Sequence, residues 1–453
     1  MARTRTKILE GILQMSASKV LIKIFSFIGF WVVVSNLSLR DFGLLNLLFA
    51  LLSPAAAFTM FGLEQLVTAD AAYARGQKDE SYAKKLLLDY LKLAATSVTA
   101  LFLAAWLLRS FLDQFYDADL TRFFWSLVLL IVSQLAMNFL SIVFESHQRF
   151  DLAAKMFSYE GVLRTLILLS LFYFGFSLTT VLWSYILAKA IVATFMVRET
   201  RGAMRIAGYA PRKDNLIFDV IRRHGKWDMI RNISNVTVDN LWPWIVNLFV
   251  GAEAVGLYAF AQKIYSTITT AVPFKTVLFP FVVGAISKSH DVAQIIVAKA
   301  RKVLLIFSAF LALALIFGTP LFVPFFFKEY GGAVFLLQLM SLHLLTEVYS
   351  LGQSDVLYAF KQQRLLFFVS MVTIFVRFAM HVICVYLFGV TGMVISWLIT
   401  TVVSAYLREK ALQDIGFPLW NMKALLRWDD YDTIILQDIR LKLRRFMPQF
   451  RKK

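Results

Sequence analysis

Lysines and arginines stand inside the apolar runs of this chain, where a bilayer makes them costly. They are Lys19, Lys23, Lys92, Arg164, Lys189, Arg231, Lys263, Lys275 and Arg377. Acids in the same runs are fewer, chiefly Glu64, Asp239, Glu347 and Asp355. A charge at mid-bilayer costs about 2.5–3.5 kcal/mol on insertion scales, so it faces a cavity, a partner or, near a span end, the headgroups. Lys19, Lys92, Lys189 and Arg231 lie near the cytoplasmic ends of their runs and are expected to snorkel. Lys23, Arg164, Lys263, Lys275 and Arg377 are the candidates for a water-filled binding site. Arg377 lies roughly 18 Å into its run at 1.5 Å per residue, too deep to reach either surface easily. His381 follows it one turn later on the same face.

The excess of cations over anions selects the cargo. A cavity lined with Lys and Arg suits an anion, first of all phosphate or pyrophosphate, with Arg binding bidentately and Lys acting as a point charge. Asp239 and Glu347, both near mid-depth, are candidates for binding a coupling cation or proton. Their other reading is charge pairing with a neighbouring base. Gln134 and Asn138 read as glue between helices. Nothing in the pattern is enzymatic: there is no Gly-rich phosphate loop, no paired-histidine metal motif and no nucleophile elbow. The five histidines are scattered and the one cysteine, Cys384, excludes an intrachain disulfide. No cofactor, metal or nucleic acid is expected.

The elements that position these charges follow from composition. Of 453 residues, 59% are hydrophobic and 17% charged, against roughly 25% charged in soluble domains. Apolar runs of about 20 residues mark membrane-spanning helices, and they lack the alternation of a barrel. The expectation is an all-α polytopic membrane protein with twelve spans near 15–36, 44–68, 86–108, 123–144, 156–174, 178–197, 230–250, 256–285, 303–323, 333–358, 365–387 and 390–407. Pro273 and Pro280 offer a kink in the long eighth span. Most of the 47 Lys and Arg then fall in segments on one side, while only Arg40, Arg109, Arg122 and Lys328 fall between spans on the other. By the positive-inside rule both termini are cytoplasmic. The net charge of +18 is therefore a topology signal.

The chain repeats itself. Phe42-Gly43-Leu44-Leu45 heads the second span and, 213 residues on, Val255-Gly256-Leu257-Tyr258 heads the eighth. Gln134 and Glu347, and Arg164 and Arg377, keep the same spacing, and Gln148-Arg149 and Gln363-Arg364 nearly so. This predicts two six-helix halves related by an axis along the membrane normal. Their expected bounds are 1–197 and 230–407, joined by a basic cytoplasmic linker, 198–229. A basic tail, 408–453, follows, with an interfacial helix over 436–450 as one reading.

These features resemble the polysaccharide flippases, the Wzx type of the multidrug/oligosaccharidyl-lipid/polysaccharide exporter superfamily. The residues that carry the resemblance are Leu37-Ser38-Leu39-Arg40-Asp41-Phe42-Gly43-Leu44, Phe61-Gly62-Leu63, Asp239, and Val255-Gly256-Leu257-Tyr258-Ala259-Phe260-Ala261. The resemblance covers essentially the whole chain. It departs at Asn240, where family members often place a basic residue after the aspartate. What it implies is two pseudo-symmetric six-helix bundles around a central cavity, in a bacterial inner membrane. The implied activity moves an undecaprenyl-pyrophosphate-linked oligosaccharide to the periplasmic leaflet for O-antigen or exopolysaccharide assembly. The implied partners are that anionic lipid-linked cargo, membrane lipids, and the polysaccharide polymerase and other assembly proteins. A drug/cation antiporter of the same superfamily is the alternative, though it favours acids over bases in its cavity. A membrane-embedded glycan polymerase or ligase is disfavoured by the short external loops.

Overall fold

The structure is a computed structural model that describes residues 22–115, 120–204, 216–222, 226–269, 290–360 and 362–419. Lys19, Lys275, Pro273, Pro280 and the 436–450 segment lie outside these residues. The helices in order are α1 Ile22–Asn36, α2 Leu39–Ala50, α3 Leu52–Thr59, α4 Glu64–Gly76, α5 Glu80–Phe115, α6 Phe124–Ser146, α7 Phe150–Phe174, α8 Leu178–Met204, α9 Leu216–Val220, α10 Lys226–Asn240, α11 Trp242–Phe249 and α12 Ala252–Thr269. They continue with α13 His290–Phe326, α14 Ala333–Ser350, α15 Gln353–Ala359, α16 Gln363–Phe388 and α17 Val390–Asp414. Among the described residues, nine helical stretches are long and apolar enough to cross a membrane. All twelve expected spans meet helix, and no strand occurs among the described residues. The chain is an all-α, multi-pass membrane protein.

Among the described residues the second, seventh and tenth expected spans are broken. The second begins earlier than its hydropathy suggests, because Ser38 caps α2 by accepting from the Asp41 backbone N–H. It then ends at Thr59, where Phe61 and Gly62 take positive φ, 54° and 59°. The turn is held by Tyr90 Oη donating to the Met60 carbonyl at 2.9 Å and Asn232 Nδ2 donating to the Gly62 carbonyl at 3.0 Å. Buried side chains thus satisfy carbonyls that the break leaves open. The seventh span breaks at Leu241, just before Trp242-Pro243, since proline opens a helix more easily than it continues one.

Contacts divide the chain into two compact units. The first holds Met1–Thr267, Phe322–Leu336 and Arg377–Met393, and the second Ile268–Leu321, Leu337–Val376 and Val394–Lys453. In the first, Met60, Leu63, Val67, Leu86, Tyr90, Leu135 and Val143 bury a core shared by α4 and the turn before it, α5 and α6. Gln134 donates to Asn138 and Asn138 to Glu64, which ties α6 to α4 by side-chain amides. In the second, Val297, Leu351, Leu412 and Phe417 are buried together. Arg301, 1% exposed there, donates to the carbonyls of Tyr349, Leu351 and Leu419. The Tyr349 and Leu351 acceptors are open because Gly352, at φ 81°, interrupts the helix between α14 and α15. Along α13, Ile306, Phe310, Leu313, Phe317 and Leu321 are all more than half exposed at three- and four-residue spacing. In water such a stripe would mark an interface; on a span it is the face turned to lipid.

Candidate cationic cavity

A cavity of about 450 Å³ lies inside the first unit. Five helices line it. From α1 come Ser26, Gly29, Phe30 and Val33; from α2 Phe42, Leu45, Asn46 and Phe49; from α7 Arg164; from α8 Tyr185; and from α12 Ala259, Gln262, Lys263 and Ser266. The charged groups on its wall are both cations, Arg164 and Lys263. The rest is aromatic or carries amides and hydroxyls, a surface suited to sugar hydroxyls and ring faces.

Arg164 is held, not loose. Its Nη1 donates to Glu160 Oε1 at 3.0 Å and its Nη2 to Ser26 Oγ at 3.3 Å. Its guanidinium also stands 5.0 Å from the centre of the Tyr185 ring. Glu160 sits one turn before Arg164 on α7, the spacing at which helix side chains pair. Hydropathy hid it, because it stands near the start of an apolar run. Lys189 was expected to snorkel. It is instead buried, 3.5 Å from Glu160, because α8 packs this part of its length against α7. Lys263 makes no ion pair among the described residues, and its side chain is exposed to the cavity.

The other candidates are dispersed. Lys23 is exposed on α1, one turn before Ser26, and does not line this cavity. Arg377, expected to face the cargo, instead pairs with Asp239 of α10. Asp239 lies beside the break before Trp242-Pro243, so α10 and α16 are tied where the seventh span is interrupted. Glu347 is half-buried on α14 in the second unit. Lys275 lies outside the described residues.

Rings cluster at the cavity wall. Phe30 and Phe42, both on its wall, meet at 6.2 Å, and Phe30 stacks on Phe260 at 5.8 Å. Phe260 stacks on Tyr330 at 4.5 Å and meets Phe327 at 5.1 Å. Beside them α2 and α12 cross on two glycines. A Cβ at Gly43 would strike the carbonyl of Ala252, and a Cβ at Gly256 the carbonyl of Leu39. The two contacts exchange roles at the 213-residue spacing of the sequence repeat, which is how duplicated hairpins meet about a pseudo-twofold axis. Small residues allow helices in lipid to approach this closely. The repeat's glycines were visible in the sequence; that they face one another was not.

A family model described as polysaccharide biosynthesis protein matches residues 8–285. The chain belongs to this family. Its fold is that of the multidrug/oligosaccharidyl-lipid/polysaccharide exporter transporters. An inward-facing multidrug resistance transporter of that superfamily superposes with TM-score 0.70 at 12% identity, over 90% of this chain and 99% of that one. The lipid II flippase MurJ, in an inward closed conformation, superposes with TM-score 0.71 at 11% identity, over 95% and 93%. A superfamily transporter from Pyrococcus furiosus, described as having a binding pocket of reversed polarity, superposes with TM-score 0.60 at 13% identity, over 89% and 94%. No curated protein sequence matches. The chain is therefore a polysaccharide biosynthesis protein with the fold of that superfamily's transporters.

Proposed function

We propose that this protein is a flippase that carries an undecaprenyl-pyrophosphate-linked oligosaccharide from the cytoplasmic to the periplasmic leaflet of a bacterial inner membrane. The observation that carries this reading is the cavity itself. Two cations, Arg164 and Lys263, face a polar and aromatic interior with no carboxylate on its wall among the described residues. That polarity fits a phosphorylated headgroup and argues against a cationic drug. The charge bias between spans supports cytoplasmic termini. On that orientation the ring cluster and the glycine crossing, at the heads of the second and eighth spans, form the outward gate.

A headgroup must cross roughly 30 Å of hydrocarbon while its tail stays in lipid. Rocking of residues 1–197 against 230–407 would open the cavity to each side in turn. The gate joins the first, second and eighth spans through Phe30, Gly43, Gly256 and Phe260. Lys23 and Lys275 remain candidates to contact the cargo on their residue type alone, and Asp239 with Glu347 couples the return step to a proton or cation. Asp239 is already engaged by Arg377, so its protonation releases a guanidinium. The polymerase and other assembly proteins take the delivered cargo. Arg164→Ala and Lys263→Ala test the reading: each should abolish surface polysaccharide at a normal level of inserted protein. Normal export from the double variant would place the site elsewhere.

A further inference from the structure

We propose that Lys189, by sharing Glu160 with Arg164, leaves the Arg164 charge uncompensated at the cavity wall, though neither Lys189 nor Glu160 lines the cavity, so that Arg164 and Lys263 together form a subsite matched to a doubly anionic pyrophosphate diester. The inference rests on the flippase reading and adds to it two positioning residues outside the cavity.

The cluster holds two cations and one carboxylate. Glu160 Oε1 lies 3.0 Å from Arg164 Nη1 and 3.5 Å from Lys189 Nζ. Glu160 is 9% exposed and Lys189 8%. Both cations also flank one ring, with Arg164 at 5.0 Å and Lys189 at 5.4 Å from the centre of Tyr185. An Arg–Glu pair alone would place a neutral dipole at the cavity wall, with little pull on an anion. Burying a second cation beside such a pair costs several kcal/mol before compensation. No further acid meets Lys189 among the described residues, and the Arg164–Glu160 pair is complete without it. What Lys189 changes is the sum: the cluster carries one net positive charge, and Arg164 is its only member on the cavity wall besides Tyr185.

Arg164 spends donors on Glu160 and Ser26, and a guanidinium has five N–H donors. The remainder can serve a phosphoryl oxygen. Lys263 adds a second positive charge from α12 on the opposite side of the sequence repeat. Two net charges balance a pyrophosphate diester. A phosphate diester leaves one of them unmatched in a site walled by Phe30, Phe42 and Phe49.

The test uses the purified full chain in lipid nanodiscs. The probes are a short-chain polyprenyl pyrophosphoryl monosaccharide and its monophosphoryl counterpart, titrated at low and high salt. The wild type is expected to prefer the pyrophosphoryl probe. Lys189→Met should weaken that probe about tenfold, as expected for one charge removed several ångströms from the anion in a partly screened site. Glu160→Gln combined with Lys189→Met removes one charge of each sign and should return affinity to within about threefold of wild type. Rescue by deleting a second buried partner is not what a purely structural lysine gives. If Lys189→Met cannot be recovered, the contrast is read from Glu160→Gln alone, which should bind the probe more tightly than the double variant. Wild-type affinity in Lys189→Met, no rescue in the double variant, or Glu160→Gln no tighter than the double variant would each overturn the proposal. Equal binding of the two probes by the wild type would overturn the charge match. Binding of neither probe would remove the flippase reading itself, and this inference with it.

Discussion

In the proposed orientation, adding one methyl group at Gly43 should unseal the periplasmic side. A Cβ there overlaps the Ala252 carbonyl oxygen and stands 2.8 Å from its carbon, against 3.4 Å for the start of ordinary contact. Both atoms are backbone, so no rotamer change relieves the clash. The helices must part by at least the difference, about 0.6 Å, and by more to clear the oxygen. Overpacking of this kind costs about 1–3 kcal/mol. That cost falls on the closed state alone if the crossing opens during transport, which shifts the population toward the outward-open state roughly 5- to 150-fold. The assay places a reporter cysteine at Asn46 or Gln262, both on the cavity wall, in a chain whose Cys384 has been replaced. An impermeant thiol reagent is then applied from the periplasmic side. Gly43→Ala and Gly256→Ala should each speed labelling, because the second clashes with the Leu39 carbonyl in the same way. Gly318→Ala, which meets nothing within 4 Å, should not. Labelling at the wild-type rate in both inserted glycine variants would refute the idea that this crossing is a gate.

Other consequences are as direct. Tyr330 is 1% exposed and its hydroxyl has no hydrogen-bond partner among the described residues. Tyr330→Phe should therefore stabilise the closed state by about 1–3 kcal/mol, seen as slower labelling of the same cavity cysteines. Arg301→Met leaves the carbonyls of Tyr349, Leu351 and Leu419 without their buried donor and should lower unfolding stability in detergent by about 3 kcal/mol. An unchanged melting temperature would mean those carbonyls find other partners. Asp239→Asn and Arg377→Gln each leave a charge in the seventh or eleventh span without its mate. The double variant should insert and accumulate better than either single variant, and strict additivity in that cycle would remove the pairing from the account. For topology, a cysteine at Glu253 should react with the external reagent and one at Gln77 should not; the reverse would invert the orientation.

The spans were legible because their energetics are one-dimensional: an apolar run of the right length crosses a bilayer whatever its neighbours do. Breaks within spans were less so. The turn at Met60–Leu63 depends on Phe61 taking positive φ, which no local signal announces, and on Tyr90 and Asn232 reaching its carbonyls from other helices. The repeat was legible as spacing, and Gly43 and Gly256 proved to be a point at which its copies touch. Charges in spans could be counted but not paired. Arg377 meets Asp239 across 138 residues of chain, and Lys189 meets Glu160 across two helices. Only the Glu160–Arg164 half of that cluster was written locally, as an i, i+4 pair.

Reconstitution tests the central claim most directly. The purified protein is placed in vesicles carrying a fluorescent polyprenyl pyrophosphoryl oligosaccharide, and loss of probe from the accessible leaflet is followed with a membrane-impermeant quencher. The wild type is predicted to equilibrate the probe between leaflets far faster than empty vesicles, with Arg164→Ala/Lys263→Ala reduced to the empty-vesicle rate. Equilibration no faster than in empty vesicles, or equally fast in the double variant, would contradict a cationic cavity that carries this cargo.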